Sequence, residues 1–318
     1  MTDQILYIDL PGFKPLPDRS VLKVISEGAE VVGVTDPTSA VAAVAASDSL
    51  KVVVCNTPSS DIYQKIRAHS PDIHTVLVTE KPMDQYSVAL AGKEDTLVDH
   101  VVASRSPSPW TVHELRVTIQ KVLRGDIFGL EKYFAPGTPV QSLTVTGSAD
   151  RERYNAVVMK YAEENRLGQY MAKLAFGISE ELLMNAIYDA PIAGGHHHYG
   201  DLPRTTAVTL NPDEYATLTY GCDGVVFGIA VADPFGALTR EKLFQYLKKV
   251  LRRSDSTDLI DTKKGGAGLG LFKILYSSHS LVCNVKPKET TEVMALIDIK
   301  HQVRDFSKMA RSVHYFQS

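Results

Sequence analysis

Residues 180–190 read EELLMNAIYDA and fall late in a helix that the apolar spacing predicts from Gly168 to Tyr188. Glu181 and Asn185 are four residues apart, so their side chains share one face of this helix. A carboxylate at that spacing can orient a water molecule or a hydroxyl group, while the amide oxygen ligates a magnesium ion shared with phosphates. An amphipathic core helix with exposed polar residues explains the same pattern, so other segments of the chain have to decide between the two interpretations.

Residues 264–271 read KGGAGLGL and lead into a second predicted helix, Leu269–Ser277. Glycines allow backbone N–H groups to approach phosphate oxygens, and the N-terminus of the following helix adds a favourable dipole. The segment is neither a P-loop, which ends in Gly-Lys-Ser/Thr, nor a dinucleotide-binding loop, which follows a strand. It predicts a phosphate-binding loop that contains Lys264, Gly266, Gly268, Leu269 and Gly270.

A third segment, residues 230–238, reads AVADPFGAL and places Asp233 at the end of a predicted strand. A carboxylate in this position can recognise adenine, because it accepts a hydrogen bond from the amino group inside an otherwise apolar pocket. An Asp-Pro turn that binds no ligand also explains this segment when it is taken alone.

Together with Glu289–Val293, which opens the last predicted strand, these segments resemble in order and spacing the ATP-binding domain of the GHKL family. That family includes DNA gyrase, heat-shock chaperone ATPases, sensor histidine kinases and anti-sigma-factor serine kinases. The resemblance covers about residues 140–299 and is nearest to the anti-sigma serine kinases, in which Glu stands four residues before Asn. It implies an α+β sandwich of the Bergerat type with ATP and Mg²⁺ as cofactors.

The resemblance also implies a role for each matching residue. Glu181 would be the general base, Asn185 the magnesium ligand and Asp233 the residue that reads adenine. The sequence departs from the family pattern after Asp233, because Pro234-Phe235 interrupts the expected Asp-x-Gly-x-Gly and one glycine is missing. Besides the glycine loop, the resemblance implies nucleotide contacts at Asp189, Gly236, Thr290 and Thr291.

The first part of the chain, residues 1–125, alternates short apolar runs with helix-like segments. The runs are rich in Val and Ile and bounded by turn formers, as buried parallel strands are. Five such βα units predict a flavodoxin-like, doubly wound α/β sheet. The predicted strands are Ile5–Asp9, Glu30–Thr35, Leu50–Cys55, His74–Thr79 and Val98–Ala103, and the predicted helices are Arg19–Glu27, Thr38–Ala46, Asp61–His69, Met83–Leu90 and Thr111–Leu123.

These five units resemble the receiver domain of bacterial two-component response regulators. That family carries the phosphoryl-accepting Asp at the end of the third strand, where this chain has Asn56, and an amide is no nucleophile for a phosphoryl group. Asp9 ends the first strand without a second acid beside it, Thr79 matches the hydroxyl position of the family, and Arg105 follows the fifth strand where the family has Lys. We therefore expect a pseudo-receiver that docks or dimerises and is not phosphorylated.

A connector of residues 126–139 precedes the ATPase-like part, residues 140–300, and a tail follows at 301–318. The order of elements in the ATPase-like part predicts an α+β sandwich with a mixed sheet that is covered on one face. The predicted strands are Ser142–Thr146, Ala207–Leu210, Glu214–Tyr220, Val225–Ala232, Leu281–Val285 and Thr291–Ile299, and the predicted helices are Asp150–Glu164, Gly168–Tyr188, Arg240–Leu251 and Leu269–Ser277.

The composition of the chain restricts the cellular compartment and the classes of partner that we expect. Lys and Arg number 34 against 37 Asp and Glu, so the chain carries no basic field and we expect no nucleic-acid partner. No stretch approaches the length of about 18 apolar residues that a membrane span needs. The three cysteines, Cys55, Cys222 and Cys283, are far apart, which fits a reducing compartment. We therefore expect a cytoplasmic protein.

The sequence thus predicts a bacterial signalling protein that binds Mg·ATP and acts as a serine/threonine-kinase-like or ATP-switched regulator of one or more signalling partners. Two alternatives stay open, namely a non-catalytic scaffold with degenerate receiver and ATPase folds, and a histidine kinase that uses His113 in the sequence VHELR. The run His196–His198 predicts a solvated loop, with a metal site as the alternative. A homodimer and the role of the tail are also left open.

Overall fold

The computed structural model describes residues 2–83, 85, 97–105, 109–196, 206–254, 269–300 and 309–318, with the backbone alone for 248–254 and Leu269. The chain divides into two compact units. The first contains Met1–Ile127 and Lys308–His314, and the second contains Phe128–Ser307 and Tyr315–Ser318. Each helix in the described part of the chain is too short or too polar to cross a lipid bilayer.

The first unit contains a parallel sheet with the strand order β2-β1-β3-β4-β5. Its strands are nearly continuous apolar runs; in β3, for example, every residue except Lys51 is buried. Parallel strands of this kind are covered on both faces, and their sequences therefore lack the alternation of half-exposed strands. The strands are β1 (Gln4–Ile8), β2 (Glu30–Val34), β3 (Leu50–Cys55), β4 (His74–Thr79) and β5 (His100–Ala103).

The helices of the first unit bury their apolar stripes against this sheet. In the last of them, Leu115 and Ile119 are fully buried, and the helix ends where Gly125 adopts a left-handed φ of 67°. The α/β architecture predicted for this unit is confirmed, with element ends that differ from prediction by at most two residues in the described part. The predicted helix Met83–Leu90 falls almost wholly outside the described residues. The helices are α1 (Arg19–Ile25), α2 (Pro37–Ala45), α3 (Ser60–His69) and α4 (Trp110–Arg124).

The second unit contains a sheet with the strand order β6-β7-β8-β10-β9. All four of these pairings are antiparallel. In the central strand, β8, seven of the eight residues are buried, which makes it the core of the sheet. The strands are β6 (Val140–Val145), β7 (Ala216–Cys222), β8 (Val226–Asp233), β9 (Ser280–Lys286) and β10 (Thr290–Asp298).

The described residues of this unit contain five α-helices, one of which ends in a π-helical turn. The predicted helix Gly168–Tyr188 is regular as far as Met184, after which Asn185–Asp189 form the π turn. Pro191 has no N–H for the carbonyl group of Ile187, so the regular hydrogen-bond ladder cannot continue there. The helices are α5 (Arg151–Glu164), α6 (Gly168–Met184), α7 (Ala190–Ala193), α8 (Arg240–Ser254) and α9 (Leu269–Tyr276).

Two further segments of the second unit differ from prediction. The predicted strand Ala207–Leu210 is only an isolated bridge between Thr209 and Gly147. The expected connector 126–139 belongs to the folded second unit from Phe128 onward, and it buries Leu130 and Phe134. Large apolar side chains in that segment pack on the sheet. The Pro and Gly content of the segment is typical of a linker, and for this reason the sequence pattern did not predict this packing.

The expected tail contains an additional strand, β11 (Ser312–Gln317), which sequence analysis did not find. Within the first unit, His314 pairs antiparallel with His100, and the Ser312 hydroxyl group donates a hydrogen bond to the buried Glu114 at 2.7 Å. Burial, reinforced by the neighbouring His314, holds the pKa of His100 well below its usual 6.5, so His100 is neutral near pH 7. Polar residues in a buried strand do not give an apolar run, and this explains why the sequence pattern concealed β11.

Candidate functional site

The second unit contains a cavity of about 320 Å³ between its sheet and its helices. Side chains such as Ile192, Leu271 and Val293 make most of its wall apolar. A cavity with apolar walls and a few polar groups is the usual form of a small-molecule site. The polar lining residues are Asn185, Asp189, Asp233, Lys242, Tyr246 and Thr291, four of which were predicted as nucleotide contacts.

Asp233 is the buried carboxyl group of the cavity. It ends β8, is 7% exposed, and stands directly opposite Thr291 of β10 in the antiparallel register. Burial raises the pKa of the Asp233 carboxyl from 3.8 to about 7, and the hydrogen bond that it accepts from the Phe235 N–H at 3.1 Å only partly opposes this. Near neutral pH the group therefore exists in both protonation states.

Asn185 and Asp189 reach the cavity from the two ends of the π turn. The N–H of Ala190 donates to the carbonyl oxygen of Asn185, five residues earlier, which is the hydrogen bond that defines this turn. Single π turns inside helices are frequent at functional sites. The Asn185 Nδ2 atom is buried, and no described residue accepts a hydrogen bond from it. The turn thus presents an amide and a carboxylate, both with oxygen atoms suited to a hard cation.

Glu181 lies one helical turn before Asn185. Its Oε1 atom forms an ion pair with Lys273 Nζ of α9 at 2.6 Å. A Cβ atom added to Gly270 would lie 2.9 Å from Asn185 Oδ1 and 3.0 Å from Glu181 Oε2. The end of the predicted glycine loop therefore packs against Glu181 and Asn185, and a side chain at Gly270 would displace them. Among the described residues, Glu181 and Gly270 adjoin the cavity lining without belonging to it.

Gly236 has a structural explanation in the turn that follows β8. Its φ is +56°, and a Cβ atom there would lie 2.1 Å from the carbonyl oxygen of Lys286. The Gly236 carbonyl also accepts a hydrogen bond from the Lys288 N–H at 3.2 Å. Only glycine fits this close approach to the turn between β9 and β10. Gly236 does not line the cavity.

The remaining predicted contacts divide into two groups. Thr290 pairs with Lys286 at the start of β10 and lies outside the cavity lining, whereas its neighbour Thr291 belongs to it. Lys264, Gly266 and Gly268 lie outside the described residues, and of Leu269 only the backbone is described.

Two polar residues of the cavity lining were not among the predicted contacts. Lys242 and Tyr246 both lie on α8 and are four residues apart, so one face of this helix forms part of the cavity wall. Their spacing alone carries no chemical signature, although they follow closely on the segment that contains Asp233 and Gly236. The ion pair between Glu181 and Lys273 was also missed, because nothing local relates α6 to α9.

In the first unit, Asn56 occupies the predicted acceptor position and is 3% exposed. Its Nδ2 group donates to Asp9 Oδ1 at 2.7 Å and to the carbonyl oxygens of Leu10 and Lys14, while its Oδ1 accepts from the Leu10 N–H at 2.9 Å. The amide thereby joins the end of β3 to the loop after β1. A carboxylate could not donate any of these hydrogen bonds.

The other predicted positions of this unit also have internal partners. The Thr79 hydroxyl accepts a hydrogen bond from the Lys81 N–H at 3.1 Å. The Arg105 guanidinium lies 3.3 Å from the buried Glu114 carboxylate, and His113 Nδ1 lies 3.0 Å from Arg116. Arg105 therefore contributes to the core of the unit.

His196 is the first residue of the predicted His196–His198 loop; His197 and His198 lie outside the described residues. Its Nδ1 atom lies 2.5 Å from Oε1 of the buried Glu214, and its ring packs edge-on against Phe235 with centroids 5.2 Å apart. His196 therefore contacts the turn that follows Asp233.

No protein-family model matches this sequence, and no curated protein matches it. Among solved structures, the chain is similar to one described as the crystal structure of the SiaB–SiaC complex from Pseudomonas aeruginosa. The sequence identity is 14%, the TM-score is 0.29, and the match covers 49% of this chain and 88% of the other. At these values the similarity carries no inference about function.

Proposed function

We propose that the second unit binds Mg·ATP in its cavity and acts as a serine/threonine-kinase-like or ATP-switched regulator of a partner protein. The observation that carries this proposal is the convergence of Asn185, Asp189, Asp233 and Thr291 on one cavity. These residues come from three separate sequence segments, each of which resembles a nucleotide-binding segment of the GHKL family.

At one part of the cavity, Asp233 and Thr291 supply hydrogen-bonding groups that suit an adenine edge. The Asp233 carboxylate would accept a hydrogen bond from the exocyclic amino group, and the Thr291 hydroxyl could donate or accept beside it. Apolar neighbours such as Leu271 and Val293 would cover the faces of the base.

The π turn supplies the groups that suit magnesium and phosphate. Asn185 Oδ1 and the Asp189 carboxylate are oxygen ligands of the kind that Mg²⁺ takes together with phosphate oxygens. The residues therefore fit the ion, which would neutralise phosphate charge when bound. Gly270 packs closely against Asn185, and a side chain at this position would displace the amide from the proposed magnesium site.

Glu181 is the proposed general base. One helical turn from Asn185, its carboxylate would accept the proton of an attacking hydroxyl group or water. The ion pair with Lys273 keeps the Glu181 side chain oriented. The same ion pair engages Oε1, so this oxygen already has a partner in the structure. This occupied carboxylate is the observation that favours the second candidate function, a scaffold that binds nucleotide without chemistry.

We further propose that the first unit is a receiver-like domain that does not accept phosphate. The hydrogen bonds of the Asn56 amide support this, because they use both atoms of the side chain at the acceptor position. Input to the regulator would then come through protein contact.

Glu181→Gln separates binding from chemistry. We expect the variant to retain calorimetric binding of a non-hydrolysable ATP analogue with Mg²⁺ but to lose about 100-fold or more in the release of phosphate from ATP. Glu163→Gln, an exposed position on α5, serves as the control and should behave like the unaltered protein. Binding without turnover in every form would support the scaffold, and absence of analogue binding would contradict the proposed function itself.

A further inference from the structure

Helix α8 brings two polar side chains to the cavity wall. The hydroxyl and carbonyl oxygens of Thr239 accept hydrogen bonds from the N–H groups of Lys242 and Leu243, so Lys242 lies in the first turn of α8. Leu243 is fully buried and fixes the helix against the unit. Lys242 and Tyr246 lie one turn apart on the face that lines the cavity.

Neither of these side chains has a partner within the described part of the protein. The Lys242 ammonium group forms no ion pair or hydrogen bond there, and neither does the Tyr246 hydroxyl group, whose ring also has no aromatic neighbour. This distinguishes Lys242 from Lys273, whose ammonium group is held by Glu181. Both α8 side chains are therefore available to a molecule in the cavity.

Because the cavity wall carries acidic side chains, an anionic ligand needs a cationic group there to offset the repulsion. Asp189 and Asp233 are acids, and Lys242 is the one basic residue in the described lining. A lysine in the first turn of a helix is unfavourable to the helix dipole, so Lys242 contributes little to helix stability. An ammonium group on a flexible stem is well suited to phosphate oxygens.

We infer that α8 supplies two ligand contacts, with Lys242 binding the phosphate chain and Tyr246 packing its ring against the nucleoside. The inference rests on the proposed function, because it takes the ligand to be a nucleoside phosphate. It adds two binding residues that the resemblance to known ATPases does not assign, and it makes α8 the element that distinguishes a nucleotide from its nucleoside.

The test is a calorimetric titration of the full chain with the β,γ-imido analogue of ATP and with adenosine, each in the presence of Mg²⁺. Lys242→Met should weaken binding of the analogue about tenfold or more and leave adenosine binding unchanged, while Lys242→Arg retains most of the affinity. Tyr246→Leu should weaken both ligands about threefold or more, and Tyr246→Phe should weaken neither. Gln245→Met, on the exposed side of the same helix, is the matched control.

The outcomes separate the two proposals. If the unaltered protein binds neither ligand, the proposed function is wrong and the inference fails with it. If it binds the analogue and both Lys242→Met and Tyr246→Leu bind it equally well, the nucleotide site stands and the role of α8 is overturned. Loss of adenosine binding in Lys242→Met would overturn the phosphate assignment, provided that an unchanged melting curve shows the variant to be folded.

Discussion

At the scale of single residues, Asp233 links the fold to the proposed chemistry. It stands at the end of a central strand, where the neighbouring Thr291 and the apolar cavity wall remove it from water. Burial raises its pKa to about 7, well above the 3.8 of an exposed carboxyl. A group that costs stability when charged is typical of a site that a ligand completes.

The raised pKa makes a prediction about stability. The folded chain holds the Asp233 proton more tightly than the unfolded chain, so this group lowers the free energy of unfolding as the pH rises between about 4 and 7. Between pH 5 and pH 8 we expect the free energy of unfolding of the unaltered protein to fall by about 3 kcal/mol relative to that of Asp233→Asn, because the amide of the variant does not titrate. Urea unfolding of both proteins at the two pH values measures this difference. An identical pH dependence would show that Asp233 does not titrate in this range.

At the scale of elements, short polar junctions hold segments that are distant in sequence. The π turn after α6 directs Asn185 and Asp189 into one cavity, and Asn56 ties the end of β3 to the loop after β1. At Asn56 the side chain itself holds the surrounding backbone, whereas a backbone hydrogen bond from Ala190 to Asn185 holds the π turn. A substitution at Asn56 should therefore change both β3 and the loop after β1.

Asn56→Asp tests this at the junction in the first unit. The substitution introduces an acid of the kind that receiver domains carry at the end of the third strand, but it replaces a donor with a carboxylate that faces Asp9 Oδ1 and two carbonyl oxygens. We expect a loss of about 2 to 4 kcal/mol in the free energy of unfolding at pH 7, and a smaller loss at acidic pH, where the new carboxyl is protonated. Chemical denaturation measures the loss, with Gln64→Glu at an exposed position of α3 as the control. Unchanged stability in Asn56→Asp would mean that the amide hydrogen bonds are dispensable.

At the scale of the whole molecule, the predictable part of the fold is the part with local periodicity. The apolar runs of β1 to β5 and the helix that contains Glu181 follow directly from residue spacing. Strand β11 did not, because Ser312 and His314 are polar and find their partners about 200 positions away.

The same distinction applies to the candidate site. Residues in recognisable segments, such as Asn185 and Asp233, were predicted, whereas Lys242 and Tyr246 were not. A lysine and a tyrosine four residues apart on a helix carry no chemical signature until the fold turns that face toward a cavity. The π turn was equally hidden, although Pro191 marks the place where the helical ladder is interrupted.

The central claim is that the cavity of the second unit binds a magnesium-bound nucleotide through Asn185. Its most direct test is a calorimetric titration with a non-hydrolysable ATP analogue, with and without Mg²⁺, for the unaltered protein, Asn185→Ala and the control Asn165→Ala. We predict that Mg²⁺ increases the affinity for the analogue in the unaltered protein and in Asn165→Ala. In Asn185→Ala the factor by which Mg²⁺ increases this affinity should be at least about tenfold smaller, while the melting curve is unchanged. Equal Mg²⁺-dependent binding in all three proteins, or no binding in any, would contradict the account.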